Sequence, residues 1–406
     1  MRRIAFLVDT VGPYHSARLR TVAPSCHLSV IQVCGQSEEY AWEGRALPFE
    51  FDCTTLVDSD RKQAIRSGVA VKTLRDSLTR VKPEVVFVPG WSDLFALECL
   101  RWCVENHVPA AVMSDSTEWD DKRVVWREWI KSRLVSLFSA AFVAGAPHRH
   151  YIQLLGMPAE KVITGYDVVD NEYFARQASL HRINQGGNLT QSGLPGLFFL
   201  ATARFIEKKN LLKLIDSYAR YRTLCDRMPP WDLVIVGDGP LRDVVVRHRS
   251  QQSLQECVHL PGFKQYGELP RFYGLAKAFI QASSTEQWGL AVNEAMASSL
   301  PVLVSDRCGC ALDLVYKARN GFTFSPGDQE QIARRMLELA SASSERLSAM
   351  GAASLDIVRQ WGLGRFRAGF LASADAAIDS GGKRRARGAG WVLRAVIRAR
   401  RRAFCA

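Results

Sequence analysis

The chain has 406 residues, of which 47% are hydrophobic and 23% charged. That length and balance suit a soluble protein of two ordinary domains, and no apolar run reaches the roughly 20 residues that cross a bilayer. The net charge is +12, but nine Lys/Arg and no acid lie between Gly381 and Ala406, so the rest carries only about +3.

The N-terminus offers five apolar residues, Ile4 to Val8, before Asp9. That reads as a first strand, not a signal peptide. Further apolar runs at Leu28–Val33, Glu84–Val88, Ala110–Met113 and Ala140–Ala144 alternate with helical stretches. In the second half the runs are Leu197–Ala201, Leu233–Val236, Val258–Leu260, Phe279–Ala282 and Val302–Ser305. This alternation predicts an α/β fold of two doubly wound, Rossmann-like domains with a cleft between them. Ligands of such sheets bind beyond the carboxyl ends of the strands.

The predicted domains are 1–175, a linker at 176–196 rich in Gly, Ser, Asn and Gln, and 197–358. A helical segment at 359–380 is expected to return to the first domain. Residues 381–406 form a basic tail, amphipathic or disordered. The ten cysteines lack zinc-like spacing and read as reduced, mostly buried thiols.

Glycine loops follow several strands. Gly12 follows the first, and Gly237 and Gly239 follow the run ending at Val236. Arg204 and Lys209 bracket a strand-to-helix loop, where they could hold two phosphates or be solvated surface cations. The stretch from Glu286 to Glu294 places a carboxylate on each side of Gly289, with a helix-like run starting at Glu294. The amides of Gly289, Leu290 and Ala291 are candidate phosphate donors at a helix start. Glu294 could hold two vicinal hydroxyls or be an ordinary acid in a helix first turn.

Taken in order, Arg204 to Asn210, Val236-Gly-Asp-Gly-Pro240, the Glu286/Glu294 segment, and Pro301 to Asp306 with Asn320 to Phe324 resemble glycosyltransferase family 4. The resemblance spans most of 3–378 and is densest from 197 to 328. It implies the GT-B fold and metal-independent, cofactor-free transfer from a nucleotide-diphosphate sugar, usually with retention. Arg204 and Lys209 would neutralise the diphosphate, Glu286 would contact the sugar, and Glu294 the ribose. Gly289, Leu290, Ala291, Gly237 and Gly12 would approach the sugar or phosphates, and the backbone at Phe263 and Lys264 the base. The donor would be UDP- or GDP-linked, and the acceptor a glycan or lipid-linked molecule, as in cell-surface polysaccharide or glycoconjugate synthesis. Many members carry a histidine after the fourth or fifth strand. Here that region reads Ser114-Asp115-Ser116, so Asp115 or Ser116 takes its place, with His15 as a second candidate.

Five tryptophans, at 91, 102, 119, 126 and 129, crowd the first half. Arg123, Arg127 and Lys131 are expected along one helix face at 122–131. Arg394, Arg398 and Arg401 are expected to repeat that pattern in the tail, with Val392, Val396, Ala399 and Ala403 facing away. An anionic membrane surface is therefore an expected partner, nucleic acid is not, and the chain is read as cytoplasmic and peripheral. An epimerase, an inverting transferase and a non-catalytic sugar-binding scaffold remain as alternatives.

Overall fold

A computed structural model describes residues 1–35, 50–57, 68–183, 185–226, 228–381 and 388–405. The chain divides into two compact units, Met1–Val168 with Leu363–Ala406, and Val169–Gly362.

Among the described residues the first unit holds seven parallel strands. They are β1 (Arg3–Val8), β2 (His27–Cys34), β3 (Asp52–Val57), β4 (Val85–Pro89), β5 (Ala110–Ser114), β6 (Ala140–Val143) and β7 (Val162–Thr164), in the order β3-β2-β1-β4-β5-β6-β7. Between them run α1 (Pro13–Val22), α2 (Val69–Val81), α3 (Leu94–Glu105), α4 (Val125–Val135) and α5 (Ala146–Leu154). Ile4 to Val8 are all buried, as expected of a strand covered on both faces.

The second unit opens with α6 (Asn171–Ile183) and α7 (Gln185–Ser192). The stretch expected as a linker is thus largely helical. Its sheet comprises β8 (Phe198–Thr202), β9 (Asp232–Val236), β10 (Val258–Gly262), β11 (Ala278–Gln281), β12 (Val302–Ser305) and β13 (Gly321–Phe324), in the order β10-β9-β8-β11-β12-β13. Its other helices are α8 (Leu211–Leu224), α9 (Arg242–Gln251), α10 (Leu269–Leu275), α11 (Leu290–Ala297), α12 (Ala311–Leu314), α13 (Gln329–Ala340) and α14 (Ser344–Arg359).

The chain then returns to the first unit as α15 (Leu363–Asp379) and α16 (Ala389–Cys405). Helix α15 covers one face of the seven-stranded sheet, where Phe370 stacks on Phe87 of β4 at 4.0 Å. Helix α16 packs on α3 and α4 over the opposite face, with Ala389, Leu393 and Ile397 in that core. The tail positions 382–387 lie outside the described residues.

Three strands have no counterpart among the predicted runs. Strand β3 is an edge strand that is half exposed and carries Asp52, Thr54 and Thr55. Strands β7 and β13 are edges of three and four residues. Edge strands are covered less, so their sequences need no continuous apolar run.

Each sheet reverses its winding direction once. In the second unit the chain steps outward from β8 to β10, then crosses to β11 on the other side of β8. In the first the reversal falls between β1 and β4. Such switch points leave a crevice at the carboxyl ends of the two flanking strands.

Candidate functional site

The second unit gathers most of the expected residues at the β8/β11 switch point. Strand β8 ends at Thr202 and leads through Arg204 into a single 3-10 turn, Glu207–Lys209. Asn210 follows with φ 58 and starts α8, while its side-chain amide donates to the Ala282 carbonyl beyond β11 at 3.1 Å. The Ser284 amide donates to the Lys208 carbonyl at 2.8 Å, which ties the two strand-end loops together.

Glu286 lies between these loops and is 9% exposed. Its carboxylate accepts from the Lys209 ammonium, from Ser283 Oγ at 3.1 Å and from Gln281 Nε2 at 3.4 Å. Lys208 Nζ stands 3.8 Å away. A buried carboxylate needs such partners, because desolvation of an isolated charge is costly. Glu286 and Lys209 therefore form one unit, with a cation held at the strand ends.

Gly289 follows with φ +106, a conformation that side chains rarely adopt, and it caps α11. The helix begins at Leu290, not at Glu294 as the sequence suggested. The left-handed Gly289 lets the turn close four residues earlier, so Glu294 sits in the second turn. The first-turn amides of Leu290 and Ala291 lie next to Gly289.

Glu294 is 2% exposed and accepts from Tyr273 Oη at 2.6 Å, and Tyr273 Oη in turn lies 2.8 Å from Thr202 Oγ1. Burial, and then the Glu294 carboxylate, pushes the Tyr273 phenol well above its usual range. The proton stays on the phenol and is donated to the carboxylate. Glu294 is thus oriented from beneath, by α10 and the end of β8.

A second pair of loops lies beside these. Gly237 has φ +142 and Gly239 φ +153, and a Cβ on either would collide with the backbone of Ala203 or Phe205. The Phe205 amide donates to the Asp238 carbonyl at 2.8 Å. Here glycine is required by close packing of the loop that carries Arg204. Phe263 and Lys264 follow β10, and Lys264 Nζ lies 5.9 Å from the Phe272 ring centroid. Cys308 and Cys310 adjoin Glu286 and Gly289, and burial raises the Cys308 thiol well above its usual range, so it stays protonated.

Asp115 and Gly12 belong to the first unit. Gly12 is the N-cap of α1 with an ordinary φ of −88, and open space surrounds the place of a Cβ. Asp115 follows β5 and lies within electrostatic range of Asp167 and Tyr166. Sequence reasoning missed the centre of this region, the buried ion pair of Arg18 and Asp167 at 3.2 Å. Arg18 Nε also donates to the Val168 carbonyl at 2.9 Å. Burial, resisted by Arg18 and assisted by Asp115, pushes Asp167 up to about 6. Burial and Arg18 push His15 down to about 3, so its imidazole is neutral at pH 7. Tyr273 and Arg18 are marked only by partners 21 and 149 residues away, whereas Ser283 and Gln281 are ordinary polar residues three and five positions from Glu286.

The membrane-related expectations also change. Trp91 and Trp102 are core residues, whereas Trp126 and Trp129 are exposed. Arg123 and Lys131 do not share an outward face with Arg127. Both turn inward to Tyr151 and Glu128, whose acceptors hold them. In the tail, Ala399 and Ala403 are exposed, and Arg401 pairs with buried Glu98 of α3 at 2.6 Å. Among the described residues no helix is long and apolar enough to cross a membrane.

Residues 191–354 match the family Glycosyl transferases group 1. The Alpha-monoglucosyldiacylglycerol synthase of Acholeplasma laidlawii is 28% identical over 131 residues, 32% of either chain. The Amylovoran biosynthesis glycosyltransferase AmsK of Erwinia amylovora is 27% identical over 205 residues, 48% of this chain and 46% of that one. The match therefore spans only about a third to a half of these relatives' length. The structure of Anabaena HepE in complex with UDP and glucose superposes with a TM-score of 0.71 at 15% identity, over 91% of this chain and 98% of that one. That likeness shows the GT-B fold.

Proposed function

We propose that this chain, whose residues 191–354 match the Glycosyl transferases group 1 family and which has the GT-B fold, transfers a sugar from a nucleotide-diphosphate donor to a glycan or lipid-linked acceptor. The observation that carries the reading is the gathering of Arg204, Lys209, Glu286, Gly289 and Glu294 at one switch point, with both glutamates buried and already oriented.

In this reading Glu294 accepts from the ribose hydroxyls while Tyr273 occupies its other face. The Gly289, Leu290 and Ala291 amides meet the diphosphate or sugar, and Glu286 takes a sugar hydroxyl. Gly237, Phe263 and Lys264 border the nucleotide. Gly12 approaches the donor phosphate, and Asp115 belongs to the acceptor side. As the bond from the sugar anomeric carbon to the phosphate oxygen breaks, negative charge grows on the leaving diphosphate. Arg204 and Lys209 stabilise it, which is the largest kind of contribution a fixed charge makes to a rate. The acceptor oxygen bonds to the same face of the anomeric carbon, and its proton passes to the leaving phosphate. Configuration is then retained, and no side chain need serve as nucleophile.

The donor is UDP- or GDP-linked in this proposal, and HepE, with UDP and glucose bound, supports the former. The setting is cell-surface polysaccharide or glycoconjugate synthesis at the cytoplasmic face of a membrane. Two relatives of that kind, named for amylovoran and for a diacylglycerol glycolipid, support it. A thermal-shift screen against UDP-, GDP- and ADP-sugars tests the donor. Stabilisation by one nucleotide class, lost in Glu294→Ala, is expected. Equal responses of the wild type and Glu294→Ala would refute the site.

A further inference from the structure

Among exposed large apolar side chains of the first unit, three are tryptophans or their direct neighbour on one helix. Val125 is 88% exposed, Trp126 59% and Trp129 50%, all in the first turns of α4. A fourth residue, Trp391, is 66% exposed at the start of α16. Helices α4 and α16 contact each other and bury their inner sides in the same core.

Cations accompany these indoles. Arg127 stacks over Trp126 at 5.4 Å, and Arg133 over Trp129 at 5.3 Å. On α16 the apolar stripe Ala389, Val392, Leu393 and Ile397 is buried against the body. The opposite stripe runs from Trp391 through Arg394 and Arg398 to Arg402, all exposed at helical spacing, and α16 contains no acid. This helix cannot insert as a free amphipath, because its apolar side is already used. It can only present its cationic side.

We infer that α4 and α16 together form a docking surface for an anionic lipid bilayer, with Trp126, Trp129 and Trp391 entering the headgroup layer and Arg394, Arg398 and Arg402 facing its charge. Indoles suit that layer because one side of the ring is apolar and the N–H remains hydrated. The arginine stripe complements an anionic leaflet, where each cation contributes about fivefold in affinity. A protein partner of matching acidity would meet the arginines but would give no reason for indoles left half in water. The inference concerns binding and stands apart from the donor reading, since it is measured without nucleotide or transfer.

The test is sedimentation of the full chain with phosphatidylcholine vesicles, with or without phosphatidylglycerol. Binding is expected only to the anionic vesicles and is expected to weaken as salt rises. The triple variant Arg394→Gln, Arg398→Gln, Arg402→Gln should bind about 100-fold more weakly. The double variant Trp126→Ser, Trp129→Ser should lose about tenfold or more. Bromine-labelled acyl chains should quench the wild-type tryptophan fluorescence, a readout that needs no substitution. Equal binding to neutral vesicles, unchanged binding by the variants, or unquenched fluorescence would overturn the inference. So would a dimer in light scattering that the tryptophan variant converts to monomer, because the face would then belong to a second copy.

Discussion

The carboxyl ends of the two sheets are built on opposite principles. In the second unit, the buried carboxylates of Glu286 and Glu294 are held and aimed by neutral donors and by Lys209, with Lys208 close to Glu286. In the first, the buried Arg18 guanidinium and Asp167 carboxyl pair with each other, and burial drives Asp167 itself and neighbouring His15 toward their neutral forms. The family match lies in the second unit, within 191–354. The difference teaches that one end holds its acids on donors from neighbouring strand-end loops, while the other joins an acid and a cation from distant segments in one ion pair.

Substitutions can break this contrast. The largest effect is expected at Arg18→Ala, which strands Asp167 and should cost about 3–5 kcal/mol in urea unfolding. Wild-type stability in that variant would mean the ion pair is not structural. Lys209→Ala should lower kcat about 10²–10³-fold in a transfer assay, with some loss of stability because Glu286 keeps only Lys208 and neutral donors. If that variant instead lost stability at unchanged kcat, the second unit's charges would be structural as well. Tyr273→Phe should raise the donor KM about tenfold with kcat nearly constant, because only the orientation of Glu294 is lost.

A pH dependence is expected as well. His15 titrates at about 3 in the folded chain against 6.5 unfolded, so its contribution is present above pH 6.5 and lost as pH falls toward 3. Thermal melts of His15→Gln between pH 4 and 7 should therefore decline less on acidification than those of the wild type. Asp167 acts with the opposite sign, since its folded value of about 6 lies above the ordinary 3.8 and its protonated form is favoured by folding. Parallel melting curves for wild type and variant would show that His15 is open to water.

Much of the second unit's strand-end cluster was legible because it is local. Buried parallel strands are continuous apolar runs, and the residues that leave their ends are nearby in sequence. Glu286, Gly289 and Glu294 share one loop and helix. Their supports were not legible, since Tyr273 lies 21 residues from Glu294 and Lys209 lies 77 from Glu286. Arg18 and Asp167 are 149 residues apart.

The tail shows the same boundary. Its helical spacing and its charge were in the sequence, as was the possibility of an apolar side. Which side stays free was decided by packing on α3 and α4, where Leu393 and Ile397 enter the core and Arg401 meets Glu98. The sequence by itself determined the alternating α/β units, the glycine loops and the residue types at the strand ends, because periodicity and backbone conformation are local properties. Tertiary structure alone decided which charges are paired, which indoles face water and which carboxylate is held by which donor, because burial and long-range contact set the cost of each charge.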